Sequence, residues 1–558
     1  MSRFQNLIEQ HTATLQQAVN AIHTRDFYAH WPEAPSGKIY GENANADGQQ
    51  RFQEQLNNPF TRLQQTGSSN HGEETSPYGF PLGITYPVAD ANTLVANAVA
   101  AQQQWRSFSA AERAAILIEC LEKATPHFFE IAYATQHTTG QGFVMAFQAS
   151  GPHSYDRALE AIATGYYALT SFDTERTWVK PMGKMEVTVN KKFYAVPKGV
   201  NVTVGCSTFP IWNSVPGMFA SLITGNATIA KVHPKVVYPL AILVASMQQT
   251  LRELGVNPHI VQLGVPSPEV PLTVELINHA DVKTVDYTGS SAFGTQIEQL
   301  CAAQGKVCFT EKAGVNCMIV ESTNNIDAVL DNMAFSVVLY SGQMCTAPQN
   351  FFIPKSGVKE GDVVVPFDDV VARFIGKIDA IVNNEKMGPS TLGAIQNAGT
   401  IDRVAKANTL GLTVLRSSST IAQPGFDAAQ TSTPLVLQAD ANQQDIYEQE
   451  WFGPISFVVP VDSFEQAVEI VANSVKKHGA LTTSCYTTDS AKQHLAEEAL
   501  IYAGAPVAFN FTGPIWINQS SAFSDFHGAG ANPAGNASFA DLTFVTSRYN
   551  TIGVRSIG

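Results

Sequence analysis

Val200-Asn201-Val202-Thr203-Val204 decides the fold, because it opens a strand-then-helix rhythm that lasts for ninety or so residues. The run is rich in β-branched residues and follows the turn Pro197-Lys198-Gly199, so it reads as a strand. After it, Ser214 to Leu222 predicts a helix, Asn226 to Lys231 a strand and Pro239 to Leu254 a helix. His259 to Leu263 is the next strand and Pro271 to Asn278 the next helix. Lys283 to Tyr287 then forms a strand that opens into Thr288-Gly289-Ser290. Such alternation predicts an α/β fold: a parallel sheet with helices on both faces, and a nucleotide site at the carboxyl ends of its strands.

Around this centre the pattern changes. Upstream, Met185 to Val196 alternates through Val187, Val189, Phe193 and Ala195, as a β-hairpin or long ribbon does. Helices are expected with Asp90 as the cap of a run through Val99 to Trp105, over Ala110 to Ala124, and from Ser154 to Leu169. The first 75 residues are a polar preface. In it Phe4, Leu7, Ile8, Leu15, Val19 and Ile22 recur at helical spacing, and Arg51 to Leu63 suggests a second helix. Between them, Trp31 to Gly37 and Asn43 to Gly48 read as turns, and the whole as a packed surface appendage. Downstream, Cys317-Met318-Ile319-Val320 starts a second αβ series with a helix from Ile326 to Leu339 and an insertion near Lys355 to Val364. A Gly- and Asn-rich segment runs from His527 to Ser538.

At 558 residues the chain exceeds what one hydrophobic core supports, so two or more domains are expected. A hydrophobic fraction of 44% against 15% charged residues excludes a disordered chain. The net charge of −14 disfavours nucleic acid or an anionic membrane as partner. Met1 to Gln17 lacks the apolar stretch of a secretory signal, and no run approaches the ~20 apolar residues of a membrane span. The seven cysteines (120, 206, 301, 308, 317, 345 and 485) are odd in number and lack Cys-x-x-Cys spacing. They fit reduced thiols in a cytoplasm better than disulfides or a metal site.

Two residues carry the chemistry. Cys345 lies in Tyr340-Ser341-Gly342-Gln343-Met344-Cys345-Thr346, and Glu311 lies upstream in Phe309-Thr310-Glu311-Lys312-Ala313-Gly314. A thiol can add to a carbonyl and later leave, while a carboxylate can activate water; oxidation of an aldehyde needs both. Each alone is weak, since a single Cys is more often packing.

Six strings, in one order and at compatible distances, resemble the aldehyde dehydrogenase superfamily over roughly residues 76 to 530. They are Thr208-Phe209-Pro210, Lys231 after its strand, Thr288-Gly289-Ser290 with Gly294, Glu311 to Gly314, Gly342 to Cys345, and Glu450-Trp451-Phe452-Gly453-Pro454. With its long helical preface the chain looks most like the phenylacetic acid degradation type. The resemblance implies a helical extension (1–75), a Rossmann-type NAD(P)-binding domain (76–312) with an oligomerisation ribbon (176–198), a catalytic domain (313–530) and a tail (531–558). It also implies a homodimer or a dimer of dimers.

Residue by residue, the resemblance makes Cys345 the nucleophile and Glu311 the general base. Lys231 would bind the adenosine ribose, Gly289 and Ser290 the diphosphate, and Glu450 with Phe452 the nicotinamide ribose. Gly294 would permit helix–strand packing. Two departures stand out. Lys312-Ala313-Gly314 replaces the usual Leu-Gly-Gly, and Thr208 occupies the place of an oxyanion-holding Asn. Trp212-Asn213 looks like the family's Trp-Asn but falls a few residues too late. Where NAD-preferring relatives carry an acid after the ribose lysine, this chain has Pro234 between His233 and Lys235. No carboxylate there would repel a 2′-phosphate, so NADP is expected over NAD, with NAD possible. The function expected is oxidation of an aldehyde to the acid, the substrate being a ring-opened, CoA-linked semialdehyde if the narrower likeness holds. A CoA-acylating dehydrogenase and a catalytically silent cofactor-binding relative remain the alternatives.

Overall fold

A computed structural model describes residues 3–312, 314–515, 522–523, 532–537 and 541–557. Its first sheet has five parallel strands, in the order Val307–Glu311, Val282–Thr288, Val200–Val204, Ala227–Lys231, Val261–Gly264. The chain starts at the middle strand, steps to one edge, then returns to fill the other side. Strand order therefore reverses between Val200–Val204 and Val282–Thr288, where a crevice must open beyond the carboxyl ends. Pro258–Ile260 is a single 3₁₀ turn and not the expected start of a strand. Pro258 has no N–H for a ladder, and the Asn257 side chain accepts from the His259 backbone instead.

The second sheet has seven strands in the order Thr413–Arg416, Leu435–Gln438, Ile455–Val461, Asn350–Pro354, Cys317–Val320, Thr483–Tyr486, Val507–Phe509. Only the edge pair Thr413–Arg416 and Leu435–Gln438 is antiparallel. Its two faces bury separate clusters: Cys317 and Ile319 pack into one, Met318 and Val320 into the other. That split is the period-2 alternation of a strand buried on both sides.

The N-terminal residues belong to the first core. Phe4, Ala18, Trp31, Phe52 and Phe60 are buried in the same cluster as Val202 and Ile229. The helix Gln5–Thr24 lies on helices Ala110–Ala124 and Pro152–Thr170 and ties to the former through His11 and Glu119, 2.7 Å apart. The expected turn at Asn43–Gly48 is instead the start of a helix, Ala44–Gln55, which ends well before Leu63. Gly48 explains the difference: a Cβ there would collide with Phe129, so the glycine serves close packing against helix Phe128–Thr139. That helix and Phe143–Ser150 were not foreseen.

The ribbon pairs Glu175–Met182 with Met185–Pro197, and the C-terminal strand Tyr549–Ile557 adds a third member. The latter is anchored by Arg548, fully buried, whose guanidinium reaches both oxygens of Asp286 at 2.6 and 2.9 Å and Ser221 Oγ at 2.8 Å. Asp286 also accepts from Asn201 Nδ2 at 2.7 Å. A buried pair satisfied this fully holds its place, whereas either charge alone would be costly. Of the Gly- and Asn-rich segment, only residues 532–537 lie among those described.

Candidate active site

Cys345 sits on a strained turn between helix Ile326–Val338 and strand Asn350–Pro354. Tyr340, Ser341 and Gly342 are all left-handed, with φ of 52°, 50° and 64°. For the two non-glycine residues this costs about 1–3 kcal/mol each, so surrounding bonds must enforce it. Tyr340 Oη donates to Thr139 O at 2.5 Å and Ser341 Oγ to Leu392 O at 3.0 Å. Gln343 Nε2 donates to Ala394 O at 3.0 Å and Gln343 Oε1 accepts from the Gln396 N–H at 3.0 Å. A Cβ on Gly342 would strike the Gly453 carbonyl, so the nucleophile string touches the Glu450–Pro454 string directly.

The thiol emerges where two cavities meet. One, of about 430 Å³, is lined by Phe143, Met145, Trp212, Leu339 and other mainly apolar side chains. The other, of about 440 Å³, follows the carboxyl ends of the five-stranded sheet. Cys345, Phe209 and Asn213 line both.

Glu311 ends its strand at this meeting point and is only 2% exposed. The Cys345 thiol hydrogen-bonds to its carboxylate. Burial, the Glu311 charge and that hydrogen bond together hold the thiol well above its ordinary pKa. The resting Cys345 side chain is therefore a neutral thiol with an acceptor already in place. Asn213 Nδ2 donates to Glu311 Oε2 at 2.9 Å, and Cys206 Sγ donates to Asn213 Oδ1 at 3.3 Å. Lys312 does not hold Glu311: its ammonium pairs with Glu298 at 2.9 Å.

The second cavity collects Thr208, Lys231, His233, Gly289, Ser290, Glu450 and Phe452 with Cys345 and Glu311, all from separated parts of the sequence. Its shape suits a dinucleotide. A Cβ on Gly289 would come 2.5 Å from Tyr287 Oη, so the glycine keeps the backbone open at the mouth of helix Ser291–Ala303. Lys231 has no ion-pair partner among the described residues, and burial lowers its pKa to about 8. His233 is pushed down to about 4, by burial first and then by Lys231 and Lys235. Its Nδ1 accepts the Lys235 N–H at 3.3 Å, which a neutral ring allows. The His233 ring is therefore uncharged at neutral pH. Burial raises Glu450 to about 7, with Arg403 opposing. Gly294 lies outside the cavity, in the helix, where a Cβ would meet Lys312 and Tyr287 at 2.7 and 2.8 Å.

Three amides missed in the sequence fix this geometry. Asn316 donates to Cys345 O and Ala347 O at 2.7 and 3.0 Å and accepts from the backbones of Leu481 and Thr482. Gln349 accepts from Trp451 N at 2.7 Å and donates to Tyr447 O at 2.8 Å. Gln343 braces the turn as described. Their signal was faint: amides in apolar runs beside the two motif strings.

The chain matches the aldehyde dehydrogenase family over residues 85–535. It superposes on a crystal structure of an NAD-dependent aldehyde dehydrogenase from Burkholderia multivorans with a TM-score of 0.96 and 42% identity, covering 99% of this chain and 98% of that one. FUS7 of Gibberella fujikuroi is 27% identical over 333 residues, 58% of this chain and 66% of its own length. A 1-pyrroline-5-carboxylate dehydrogenase of Staphylococcus aureus is 23% identical over 411 residues, 68% of this chain and 74% of its own.

Because the Glu311 charge and its hydrogen bond add to burial in holding the thiol protonated, Glu311→Gln should lower the thiol pKa. Iodoacetamide should then alkylate Cys345 faster at pH 7 to 8 than in the unsubstituted protein, as read by peptide mass. Slower alkylation would show that the carboxylate does not control the thiol.

Proposed function

This chain belongs to the aldehyde dehydrogenase family, and on that premise we propose that it oxidises an aldehyde through a thioester on Cys345, with Glu311 as base. The observation that carries this reading is the contact of thiol and carboxylate at the wall shared by the two cavities. Cys345 passes its proton to Glu311 as sulfur bonds to the carbonyl carbon. The tetrahedral adduct then loses hydride, which a bound nicotinamide would accept, and becomes a thioester. Once Glu311 has released its proton, it takes another from water; the hydroxide attacks the thioester carbon and expels the Cys345 sulfur, giving the acid.

The substrate cavity supports a finer reading. Among the described residues its lining holds Glu33 and His153, paired at 2.8 Å, and no lysine or arginine. A free carboxylate end would find neither of those cations there among the described residues. A ring-opened semialdehyde carried as a CoA thioester, as in phenylacetate-type degradation, presents a neutral acyl chain that suits apolar walls. Its CoA phosphates would stay outside.

For the cofactor we propose NADP, with NAD also accepted: no carboxylate stands where Pro234 follows Lys231 and His233, and Lys235 beside it is exposed, so that it could meet a 2′-phosphate. Lys231, Gly289, Ser290, Glu450 and Phe452 would hold the dinucleotide. The Burkholderia relative is described as NAD-dependent. The exposed apolar side chains Trp178, Phe193, Tyr194, Ile552 and Val554 on the three-stranded arm suit association into a homodimer or a dimer of dimers.

Glu311→Gln should cut steady-state oxidation by about 10²–10⁴-fold, with acyl-enzyme accumulating on Cys345 in intact-mass spectra. Undiminished turnover that requires CoA would instead make the enzyme CoA-acylating, and no reduction of either dinucleotide across an aldehyde panel would make it a silent relative. In the same assay kcat/KM should be higher with NADP than with NAD; a strong NAD preference overturns that choice.

Glu450 accepts ribose hydroxyls as a carboxylate, so KM for the dinucleotide should rise as pH falls through about 7. Glu450→Gln should flatten that dependence. An unchanged profile would remove Glu450 from the ribose site.

A further inference from the structure

We propose that the side-chain amide of Asn213 is the oxyanion donor of this enzyme, taking over a task that Thr208 does not perform. The inference rests on the thioester mechanism above. When sulfur adds to a carbonyl, the C=O π pair moves onto oxygen, and a site without an N–H or O–H aimed at that atom forgoes a large part of its rate.

The geometry selects Asn213 among the neighbouring groups. Its side chain borders both the substrate cavity and the nucleotide cleft, as Cys345 does, whereas Thr208 borders the cleft alone. Asn213 is 7% exposed and sits in the turn ahead of helix Val215–Ile223, its own N–H bonded to Phe209 O at 3.1 Å. The amide orientation is fixed without ambiguity of flip. Glu311, acceptor-only when ionised, takes one Nδ2 hydrogen at 2.9 Å, and Cys206 gives its thiol hydrogen to Oδ1 at 3.3 Å. An amide nitrogen carries two hydrogens, and no further acceptor for Nδ2 occurs among the described residues. One amide hydrogen is thus left uncommitted on a buried side chain that lines the same two cavities as Cys345. Gln343, another amide on the cleft wall, is already committed to Tyr340 O and Ala394 O.

Proton transfer then coordinates the donor with the reaction. In the resting site the negative charge is on Glu311, and Asn213 donates to it. As the Cys345 proton moves to Glu311, sulfur adds, and the charge reappears on the substrate oxygen. Glu311, now neutral, becomes the weaker acceptor, and the amide's hydrogens are drawn to the new anion. When the adduct expels hydride, C=O re-forms and the amide returns to Glu311 after that carboxyl loses its proton. Asn213 therefore touches the reacting oxygen, and holding Glu311 is its resting role.

Stopped-flow measurement of the first turnover of nicotinamide reduction, with the full chain, saturating dinucleotide and an aldehyde it oxidises, tests this. Asn213→Ala and Asn213→Thr should each slow the first turnover by about 10²–10³-fold, with melting temperature recorded to confirm folding. The same substitutions placed on Glu311→Gln should cause a loss of the same factor again. A loss that vanishes on the Glu311→Gln background would mean that Asn213 only positions Glu311, and overturns the proposal. So does a Thr208→Ala loss larger than that of Asn213→Ala. Failure of the parent reading is separate: in that case the unsubstituted protein itself reduces no nicotinamide, or Cys345→Ala still does.

Discussion

The hydrogen bond between the Cys345 thiol and the Glu311 carboxylate is the contact around which the molecule is arranged. It joins a thiol held by the seven-stranded sheet to a carboxylate that ends a strand of the five-stranded one. A carboxylate buried to this degree is costly unless its oxygens are occupied. Here the thiol and the Asn213 amide occupy them, and neither brings a full positive charge. The one lysine next in sequence, Lys312, is drawn off to Glu298. A direct cation would quench the basicity that the site needs, so weak donors serve better than a salt bridge.

Keeping that contact requires the two sheets to be held in register with each other, and the structure commits many bonds to it. Asn316 lies in the short link between Glu311 and Cys317, yet its amide grips the nucleophile loop on one side and Leu481–Thr482 on the other. Gln349 ties the strand after the nucleophile to the Glu450 string, and Gly342 allows that string to lie against the turn. The strain in Tyr340 and Ser341 is offset by these bonds. It lifts the thiol out of the core, in which Cys317 and Cys485 are left as buried packing residues.

How much of this was legible follows the range of the forces involved. Strand alternation and helix capping are local, so Val200–Val204, the Asp90 cap and helix Ala110–Ala124 were read where they occur. The scattered strings for Cys345, Glu311, Lys231, Gly289, Glu450 and Phe452 were readable as a set, and they line one cleft. What failed was decided by packing at long range. Gly48 suggests a turn until Phe129 is placed against it, and Tyr549–Ile557 looks like a tail until the ribbon pairs with it. His233 counts as a cation until burial and two lysines neutralise it. Asn213 stands late in its string, yet the turn from Phe209 to Val215 leaves it lining the same two cavities as Cys345, which chain distance alone does not record.

On the proposed mechanism, charge bookkeeping gives the site its coherence. Addition moves the one negative charge from Glu311 to the substrate oxygen, the departing hydride carries it away, and the charge returns when Glu311 gives up its proton. A pocket preorganised for at most a single anion then serves these steps without rearranging its dipoles, the condition under which electrostatic stabilisation is most effective. It also explains why the resting thiol is neutral. A thiolate beside an ionised Glu311 would place two charges in a buried site, and burial first and the Glu311 charge second raise the pKa of Cys345. On the proposed mechanism the sulfur becomes anionic only as a carbonyl arrives to receive the charge, so the buried carboxylate would protect it between turnovers and activate it during them.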